Sequence, residues 1–170
     1  IDATLSDLFT TGTIGARGGI AGVLGTGTTL TNAYSTADVT YGDSDDTGGL
    51  FGSIDGFISS TTASNIFFDG TISGPSASHV GGAIGSLEGG ATVTGVYYNI
   101  SGCGCSTGIG TTSGGSGTAT GVNSGNATPN YFKGNSTNAP MSSWNFSSIW
   151  QTNTGAYPTL RLLSTPSDAD

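Results

Sequence analysis

Charged residues are scarce in this chain: they make up 8% of its 170 residues, against about a quarter in an ordinary soluble domain. Only three are basic, Arg17, Lys133 and Arg161, while eleven are acidic, so the net charge is −8. Nucleic-acid binding needs a basic face, and docking on anionic lipid needs clustered Lys or Arg. The composition therefore argues against both kinds of partner and favours a secreted protein that an acidic surface keeps soluble.

Residues that favour helices are nearly missing, since the chain holds one Met, one Lys and one Glu. No apolar run approaches the roughly 18 residues of a membrane span, and no signal peptide is present. Because Ile1 is not an initiator Met, we expect a mature chain or a fragment. Gly, Ser and Thr are abundant instead, with 31 Gly residues. The composition predicts an all-β fold with almost no α-helix.

A glycine phrase recurs three times with offsets of 30 and 33 residues. Its copies are Gly18-Gly19-Ile20-Ala21-Gly22, Gly48-Gly49-Leu50-Phe51-Gly52 and Gly81-Gly82-Ala83-Ile84-Gly85. A fixed period of about 20 to 50 residues is typical of stacked repeat proteins, in which each unit buries its apolar face against the next. The repeat therefore decides the predicted architecture, and it argues against a disordered Gly/Ser linker.

A second block falls into register when the chain is aligned on the glycine phrase. Ala33-Tyr34-Ser35 aligns with Ile66-Phe67-Phe68 and Val96-Tyr97-Tyr98, and Leu8-Phe9-Thr10 is an additional N-terminal copy. Short runs in each unit alternate apolar and small or polar residues between turn residues, which is the pattern of β-strands; they include Ile20 to Leu30 and Leu50 to Ile58.

The alignment predicts a single β-solenoid (β-helix) domain, built from Gly-rich repeats of about 30 residues. We expect six side chains to face inward: Ile20, Leu50, Phe67, Ile72, Ile84 and Tyr97. The predicted divisions of the domain 1–170 are a partial unit 1–17, units 18–47, 48–80 and 81–101, a Gly/Ser/Thr-rich loop region 102–140, a C-terminal cap 141–163 and a tail 164–170.

Both tryptophans of the chain lie within seven residues of each other, after a long stretch with few large side chains. Such large apolar groups can cover an otherwise exposed terminal coil. We therefore predict one cluster that closes the end of the solenoid, formed by Trp144, Phe146, Trp150, Tyr157 and Leu160.

Few side chains are available for catalysis, because the chain has one His and one Glu. A serine-nucleophile arrangement would have to use His79, which stands at a predicted turn. A pair of carboxylates for polysaccharide cleavage is the stronger enzyme hypothesis, with candidates Asp38, Asp55, Asp69 and Glu88. No cation stands near them in sequence to hold an acidic sugar. We therefore predict that the chain is not an enzyme.

Two sequence features suggest a bound ion or a cross-link. Asp43, Asp45 and Asp46 form the densest acidic cluster, which is either a weak Ca²⁺ site or a solvated turn. Cys103 and Cys105 are the only cysteines, and they allow a local disulfide, free thiols or a bond to another chain. We favour the local disulfide for an extracellular chain, since a zinc site would need two further ligands.

Four sequons for N-glycosylation occur, close to the about three that chance gives at this Ser and Thr content; they begin at Asn99, Asn126, Asn135 and Asn145. They are glycosylation candidates and no more than that on sequence grounds.

The phrase Gly48-Gly49-Leu50-Phe51-Gly52-Ser53, followed by a turn and an aromatic strand, resembles the GLUG repeat of bacterial and archaeal surface proteins. The stretch 144–150, with its two Trp residues, and the later Tyr157-Pro158-Thr159-Leu160 are similar to that family's ending. The likeness covers about residues 8 to 162, whereas the loop 102–128 and its Cys-Gly-Cys depart from the pattern. It implies a β-solenoid segment of an adhesin-like or structural cell-surface protein. The peptidase activity of some relatives does not transfer, because HExxH is absent.

We therefore predict a non-catalytic, extracellular structural or adhesive module that requires no cofactor. Its expected partners are itself or neighbouring repeats of a larger chain, surface glycans, or host or cell-surface proteins. The alternatives are a subunit of an extracellular filament, joined through open strand edges, and a polysaccharide-cleaving β-helix. An ice-binding surface is disfavoured, because Thr residues form no regular ranks at one repeat position.

Overall fold

The protein, described from a computed structural model, is an all-β chain with almost no helix. The structure describes residues 2–42, 46–74, 78–122, 141–154 and 156–161. The strands there are β1 (Ala3–Thr10), β2 (Thr13–Ile14), β3 (Ala21–Leu24), β4 (Thr28–Ser35), β5 (Asp38–Thr40), β6 (Thr47–Gly48), β7 (Phe51–Gly56), β8 (Thr62–Phe68), β9 (Ile72–Ser73), β10 (Val80–Gly81), β11 (Ile84–Gly89), β12 (Thr92–Asn99), β13 (Ile109–Ser113), β14 (Ser116–Val122), β15 (Trp150–Asn153) and β16 (Ala156–Leu160). A four-residue helix, α1 (Ile100–Cys103), and a 3₁₀ turn (Met141–Ser143) complete them.

Fourteen of these strands, β1 to β14, form four parallel sheets, and no sheet takes more than one strand from a single pass of the chain. The long sheet has the order β1-β4-β8-β12-β14, and a four-stranded sheet has the order β13-β11-β7-β3. A three-stranded sheet, β2-β5-β9, and the pair β10-β6 lie between them along the chain. The chain visits the sheets in the same sequence on each pass, and α1 replaces the strand that the three-stranded sheet would receive after β12. β15 and β16 form a separate antiparallel hairpin.

The strand registers confirm the predicted alignment of the repeats. Gly48 bridges to Gly18 on one side and pairs with Gly81 on the other. In the long sheet Ala33 pairs with both Leu8 and Ile66, and the column continues through Ile66 to Val96 and then to Ala119. Residues that occupy the same place in the repeat therefore lie side by side in space.

The main core lies between the sheets and consists of side chains that point to the inside of each pass. Leu30, Leu50 and Ile84 are fully buried there, while Ile20 and Ile72 are partly buried against the same cluster. Four of these five residues, all except Leu30, are among the predicted inward positions. Two inward aromatic residues at the ends of long-sheet strands pack over the second glycine of a repeat phrase: the ring of Phe68 lies against Gly49, and the ring of Tyr98 lies against Gly82.

Two of the predicted inward residues, Phe67 and Tyr97, are buried on the opposite face of the long sheet. Both belong to a second apolar cluster that also contains Trp144 and Trp150. The prediction of an inward position was wrong for these two residues because neighbouring Phe68 and Tyr98 take the inward places. Successive side chains of a strand point to opposite faces, so only one of two adjacent aromatics faces in.

A column of left-handed residues, which the sequence analysis missed, occupies one register position on four of the five strands of the long sheet, β1, β4, β8 and β12. Asp7, Asn32 and Asn65 have φ of 58°, 56° and 54°, and Gly95 follows with φ of 60°. Asn and Asp tolerate this conformation better than other side chains. The Asn65 amide donates to Asn32 at 3.5 Å, and the Asn32 amide donates to Asp7 at 3.2 Å, which ties three strands together.

Two further expectations differ from the structure. The segment 102–140, predicted as a loop region, contains β13 and β14, which add a fourth strand to the four-stranded sheet and a fifth strand to the long sheet. Its Thr- and Gly-rich strands carry too few large side chains to be recognised from apolar alternation. Phe57 and Ile58, expected in a strand, follow the end of β7 in a bend and are 64% and 88% exposed.

Candidate functional site

An aromatic column runs across the outer face of the long sheet. Phe9, Tyr34, Phe67 and Tyr97 occupy the same register position on β1, β4, β8 and β12. The ring centroids of Phe9 and Tyr34 are 5.5 Å apart, and those of Tyr34 and Phe67 are 5.3 Å apart, with nearly parallel planes. Parallel strands place equivalent side chains one above the other, so the aromatic character of one repeat position becomes a continuous apolar stripe.

The C-terminal segment covers most of this stripe. The ring of Phe67 lies 5.9 Å from that of Trp150 and 5.8 Å from that of Tyr157, and Trp144 contacts both Trp150 and Tyr97. All five predicted cap residues lie in or against this cluster: Trp144, Phe146, Trp150, Tyr157 and Leu160. However, they cover the side of the long sheet over β4, β8 and β12. The expectation that they close an end of the stack is therefore corrected.

Polar contacts within the C-terminal segment hold the hairpin together. The Arg161 guanidinium donates to the carbonyl oxygens of Trp150 at 3.1 Å and Phe146 at 3.0 Å. The Asn153 amide donates to the Tyr157 carbonyl at 2.9 Å. These bonds brace the two strands of the hairpin against each other, so the aromatic side chains are presented to the sheet as one unit.

Asp69 lies at the edge of the covered stripe. Its carboxylate accepts a hydrogen bond of 2.6 Å from the Asn99 amide. Burial, and after it the negative charge of Asp69, raise the pKa of the Tyr157 phenol. Burial also raises the pKa of Tyr34 and of Tyr98. The protonated phenol of Tyr157 is thus the form that this environment favours.

The four candidate catalytic carboxylates do not converge on one place. Asp38 accepts a bond of 2.7 Å from Thr71 in the three-stranded sheet region, and Asp69 binds Asn99. Asp55 and Glu88, in contrast, are direct register neighbours on β7 and β11. Each already holds a local donor, since Asp55 accepts from the Phe57 amide at 2.8 Å and Glu88 accepts from the Ser86 hydroxyl at 2.7 Å.

His79 and Asp46 also meet across neighbouring passes of the chain. The His79 Nδ1 lies 2.7 Å from an Asp46 carboxylate oxygen. The other two residues of the predicted calcium cluster, Asp43 and Asp45, lie outside the described residues. Within the part of the chain that the structure describes, no three His, Cys, Asp or Glu side chains are grouped so as to hold a metal ion.

The sequence analysis did not predict the contacts of Asp55 with Glu88 and of Asp46 with His79. Each joins residues 33 positions apart, as does the bond between Asn65 and Asn32. That separation equals one repeat offset, so the signal for these contacts was present in the sequence as soon as the repeat was aligned.

Cys103 and Cys105 are joined in a disulfide, and their Cα atoms are 5.2 Å apart. Cys103 ends α1, and Gly104 follows it with φ of 67°, a conformation suited to glycine. A surface pocket of about 270 Å³ opens beside the bridge and is lined by Tyr41, Ile72, Val80 and residues 103–106. The bridge therefore fixes the short connection between β12 and β13.

Two of the glycosylation candidates fall in the described residues, and both side chains are engaged. Asn99 caps α1, accepting from the Ser101 amide at 3.1 Å while donating to Asp69. Asn145 is exposed and accepts from the backbone amides of Ser147 and Ser148. Asn126 and Asn135 lie outside the described residues.

No family model, curated protein or solved structure matches this chain. The likeness to GLUG repeats consequently stays a prediction. Among the helical residues that the structure describes, no helix has the length and apolar character needed to cross a membrane.

Proposed function

We propose that this chain is a β-solenoid in which each pass through the sheets forms one coil. Four features support the proposal: the parallel strands, their constant register, the repeated order in which the chain visits the sheets, and the buried side chains between them. The long sheet and the four-stranded sheet would form two walls of the coil, and the three-stranded sheet would form a third.

The solenoid serves as a non-catalytic structural or adhesive module outside the cell. The observation that carries this proposal is that the repeated polar side chains bond to one another along the stack, as Asn65, Asn32 and Asp7 do. These hydrogen bonds hold neighbouring strands rigidly together, so the polar groups that form them are not available for catalysis. The disulfide between Cys103 and Cys105 and the net charge of −8 are consistent with an extracellular location. The likeness to GLUG repeats supports attachment to a surface protein.

The first test measures binding to surfaces and cleavage of substrates side by side. Purified protein is applied to glycan arrays and cell surfaces, and in parallel is incubated with a broad set of polysaccharides and peptides. We expect saturable binding to surface glycans or proteins, or to the protein itself, with no cleavage product. Reproducible cleavage would contradict the proposal.

A polysaccharide-cleaving function is the second candidate, because Asp55 and Glu88 stand side by side on adjacent strands. Neighbouring strands are about 4.8 Å apart, near the roughly 5 Å that separates the two carboxyl groups of retaining glycosidases. In that mechanism one carboxylate attacks the sugar while the other, protonated, donates to the leaving oxygen. Activity on a neutral polysaccharide that disappears in both Asp55→Asn and Glu88→Gln, and persists in Asp38→Asn, would establish this candidate.

A further inference from the structure

The outer face of the long sheet carries two rows of hydroxyl side chains beside the aromatic column. These hydroxyl rows are Thr29, Thr62 and Thr92 in the first row and Thr31, Ser64 and Thr94 in the second, on the neighbouring strands β4, β8 and β12. In each strand one inward residue separates the two row residues, namely Leu30, Ala63 or Val93. The rows therefore form a two-dimensional array of Ser and Thr on one face of the sheet.

The rows continue onto the two outermost strands of the long sheet. Thr4 and Ser6 of β1 pair with Thr29 and Thr31, and Ser116 of β14 pairs with Thr92. The pairing of β14 with β12 shifts register after Val93, so only the first row can be followed there. The argument below depends on the three inner strands, each of which has a strand neighbour on both sides.

The sequence analysis expected no regular ranks of Thr, and the strand registers show that this expectation was wrong. The turn 57–61 between β7 and β8 is longer than its counterparts 25–27 and 90–91, so alignment on the glycine phrase displaces the row residues of β8. Each first-row residue instead stands four positions before the second aligned block, which begins at Ala33, Ile66 and Val96.

The hydroxyl rows face solvent. Thr29, Thr92 and Thr94 are exposed, and the other three row residues are half-buried. The Thr92 hydroxyl lies 3.1 Å from that of Ser116, while the other row hydroxyls bond to no protein group in the described part of the chain. In the neighbouring left-handed column, by contrast, the side chains of Asn32 and Asn65 bond to each other. The rows thus keep their hydrogen-bonding capacity for water.

No charged side chain interrupts the hydroxyl rows. Asp7 is the only charged residue in the five strands of the long sheet, and it stands in the left-handed column. Threonine is β-branched, so its χ1 angle is restricted on a strand. The methyl and hydroxyl groups of the rows are therefore repeated on a rigid surface, without the hydration shell that an ion would organise around itself.

Strand geometry sets the spacing of the array in both directions. Neighbouring strands are about 4.8 Å apart, and alternate residues of one strand are about 6.7 Å apart. These distances are close to the two repeat distances of the oxygen atoms on a prism face of ice. A rigid array with this spacing can hold many water molecules at lattice positions at once, and little further ordering of the protein opposes the contact.

We propose that the hydroxyl rows bind the surface of ice crystals. The inference goes beyond the proposed function, because ice is neither a glycan nor a protein. It assigns a ligand to the half of this face that lies beyond the left-handed column from the aromatic cover. Many weak contacts made together by one rigid face give the adsorption, and no single residue is required to supply it.

Adsorption to ice is measured directly on the full chain. An ice surface is grown slowly in a dilute solution of the labelled protein, and the protein content of the ice is compared with that of the liquid. The difference between the melting and freezing temperatures of a single crystal is recorded in the same solution. We expect the protein to enter the ice and to open a gap between the two temperatures, since adsorbed protein hinders growth of the crystal.

Bulky substitutions in the rows test which face is responsible. Thr29→Tyr in the first row and Thr94→Tyr in the second should each reduce the ice-bound fraction at least about tenfold, because a protruding ring prevents the other row residues from touching the lattice together. Thr40→Tyr makes the same change at an exposed position of β5, in the three-stranded sheet, and should keep the wild-type value. Thermal melting of all three variants checks that they are folded.

Three results would overturn the assignment. The first is a wild-type chain that stays in the liquid and opens no temperature gap. The second is an equal loss of adsorption in Thr40→Tyr, which would show that the hydroxyl rows are not the contact. The third is a chain that ice excludes but cellulose retains, with retention lost in Thr29→Tyr and Thr94→Tyr, which would assign the face to a glycan. The proposed non-catalytic role is tested separately, by turnover in the substrate screen.

Discussion

At the scale of single residues, the packing around the second glycine of the repeated phrase explains why this position is occupied by glycine. A Cβ atom at Gly49 would meet the ring of Phe68, and one at Gly82 would meet the ring of Tyr98. At Gly19 the neighbour is the smaller Ser35 side chain. The absence of a side chain therefore admits a large inward aromatic in the neighbouring wall.

We expect Gly49→Ala to destabilise the protein by about 1–3 kcal/mol, because the added methyl group overpacks a filled core. Gly25→Ala is the control, since nothing lies within 4 Å of a Cβ there. The free energies of unfolding from denaturant titrations give the comparison. Equal values for the two variants would show that the Phe68 ring and the Gly82 carbonyl, which also lies against a Cβ at this position, move aside at little cost.

The Tyr157 phenol gives a prediction about alkaline pH. Burial, with a smaller contribution from Asp69, raises its pKa above the usual value near 10. An acid whose pKa is higher in the folded state stabilises that state fully below the unfolded pKa, and this contribution is lost as the pH rises past about 10. We expect stability to fall there, and the fall to be smaller in Tyr157→Phe. Absorbance of tyrosinate during a pH titration identifies the group, and Asp69→Asn should lower its pKa.

At the scale of elements, the C-terminal hairpin acts as a cover for one face of the long sheet. β15 and β16 pair only with each other among the described strands, so the hairpin adds no strand to the parallel sheets. Its contribution is the aromatic cluster, in which Trp150 is completely buried against Phe67 and Tyr34. The long sheet can carry a row of aromatic residues on this face because the C-terminal segment shields three of them from water.

Truncating the centre of that cluster should release the hairpin. We expect Trp150→Ala to cost about 3–5 kcal/mol, and the fluorescence of the remaining Trp144 to shift towards that of an exposed indole. Phe57→Ala removes an aromatic ring that is 64% exposed and should change stability by no more than about 0.5 kcal/mol. An unchanged Trp144 spectrum in Trp150→Ala would show that the remaining aromatic contacts are enough to hold the segment on the sheet.

At the scale of the whole molecule, stability is expected to vary along the stack. β8 has strand neighbours on both sides, β4 and β12, and carries the aromatic cover, whereas β1 has one neighbour and is mostly exposed. In stacked repeats, local opening begins where a unit has the fewest neighbour contacts.

Native-state hydrogen exchange should therefore show a gradient, with the slowest amide exchange in β8 and the fastest among the long-sheet strands in β1. The experiment is carried out at low protein concentration. Uniform exchange across the long sheet at low concentration would mean that the chain opens as one unit.

The repeat could be predicted from the sequence because it is a property of residue spacing. The aligned blocks gave the register of the long sheet, and residues one repeat offset apart, such as Asp55 and Glu88, are neighbours in space. Stacked parallel strands convert an equal place in the repeat into an equal place in the sheet, so this part needs no knowledge of packing. The scarcity of helix formers likewise predicted the all-β class.

Only the tertiary structure decided which side of the long sheet each aromatic occupies and where the C-terminal segment lies. Phe67 and Phe68 are adjacent and both apolar, so the alternation that separates inside from outside is lost at that point. Their assignment depends on the space above Gly49 and on the cover supplied by Trp150, which is more than 80 residues further along the chain. Spacing along the chain specifies neighbours within a repeat pattern, whereas contacts outside the pattern depend on which exposed apolar surface is available to be buried.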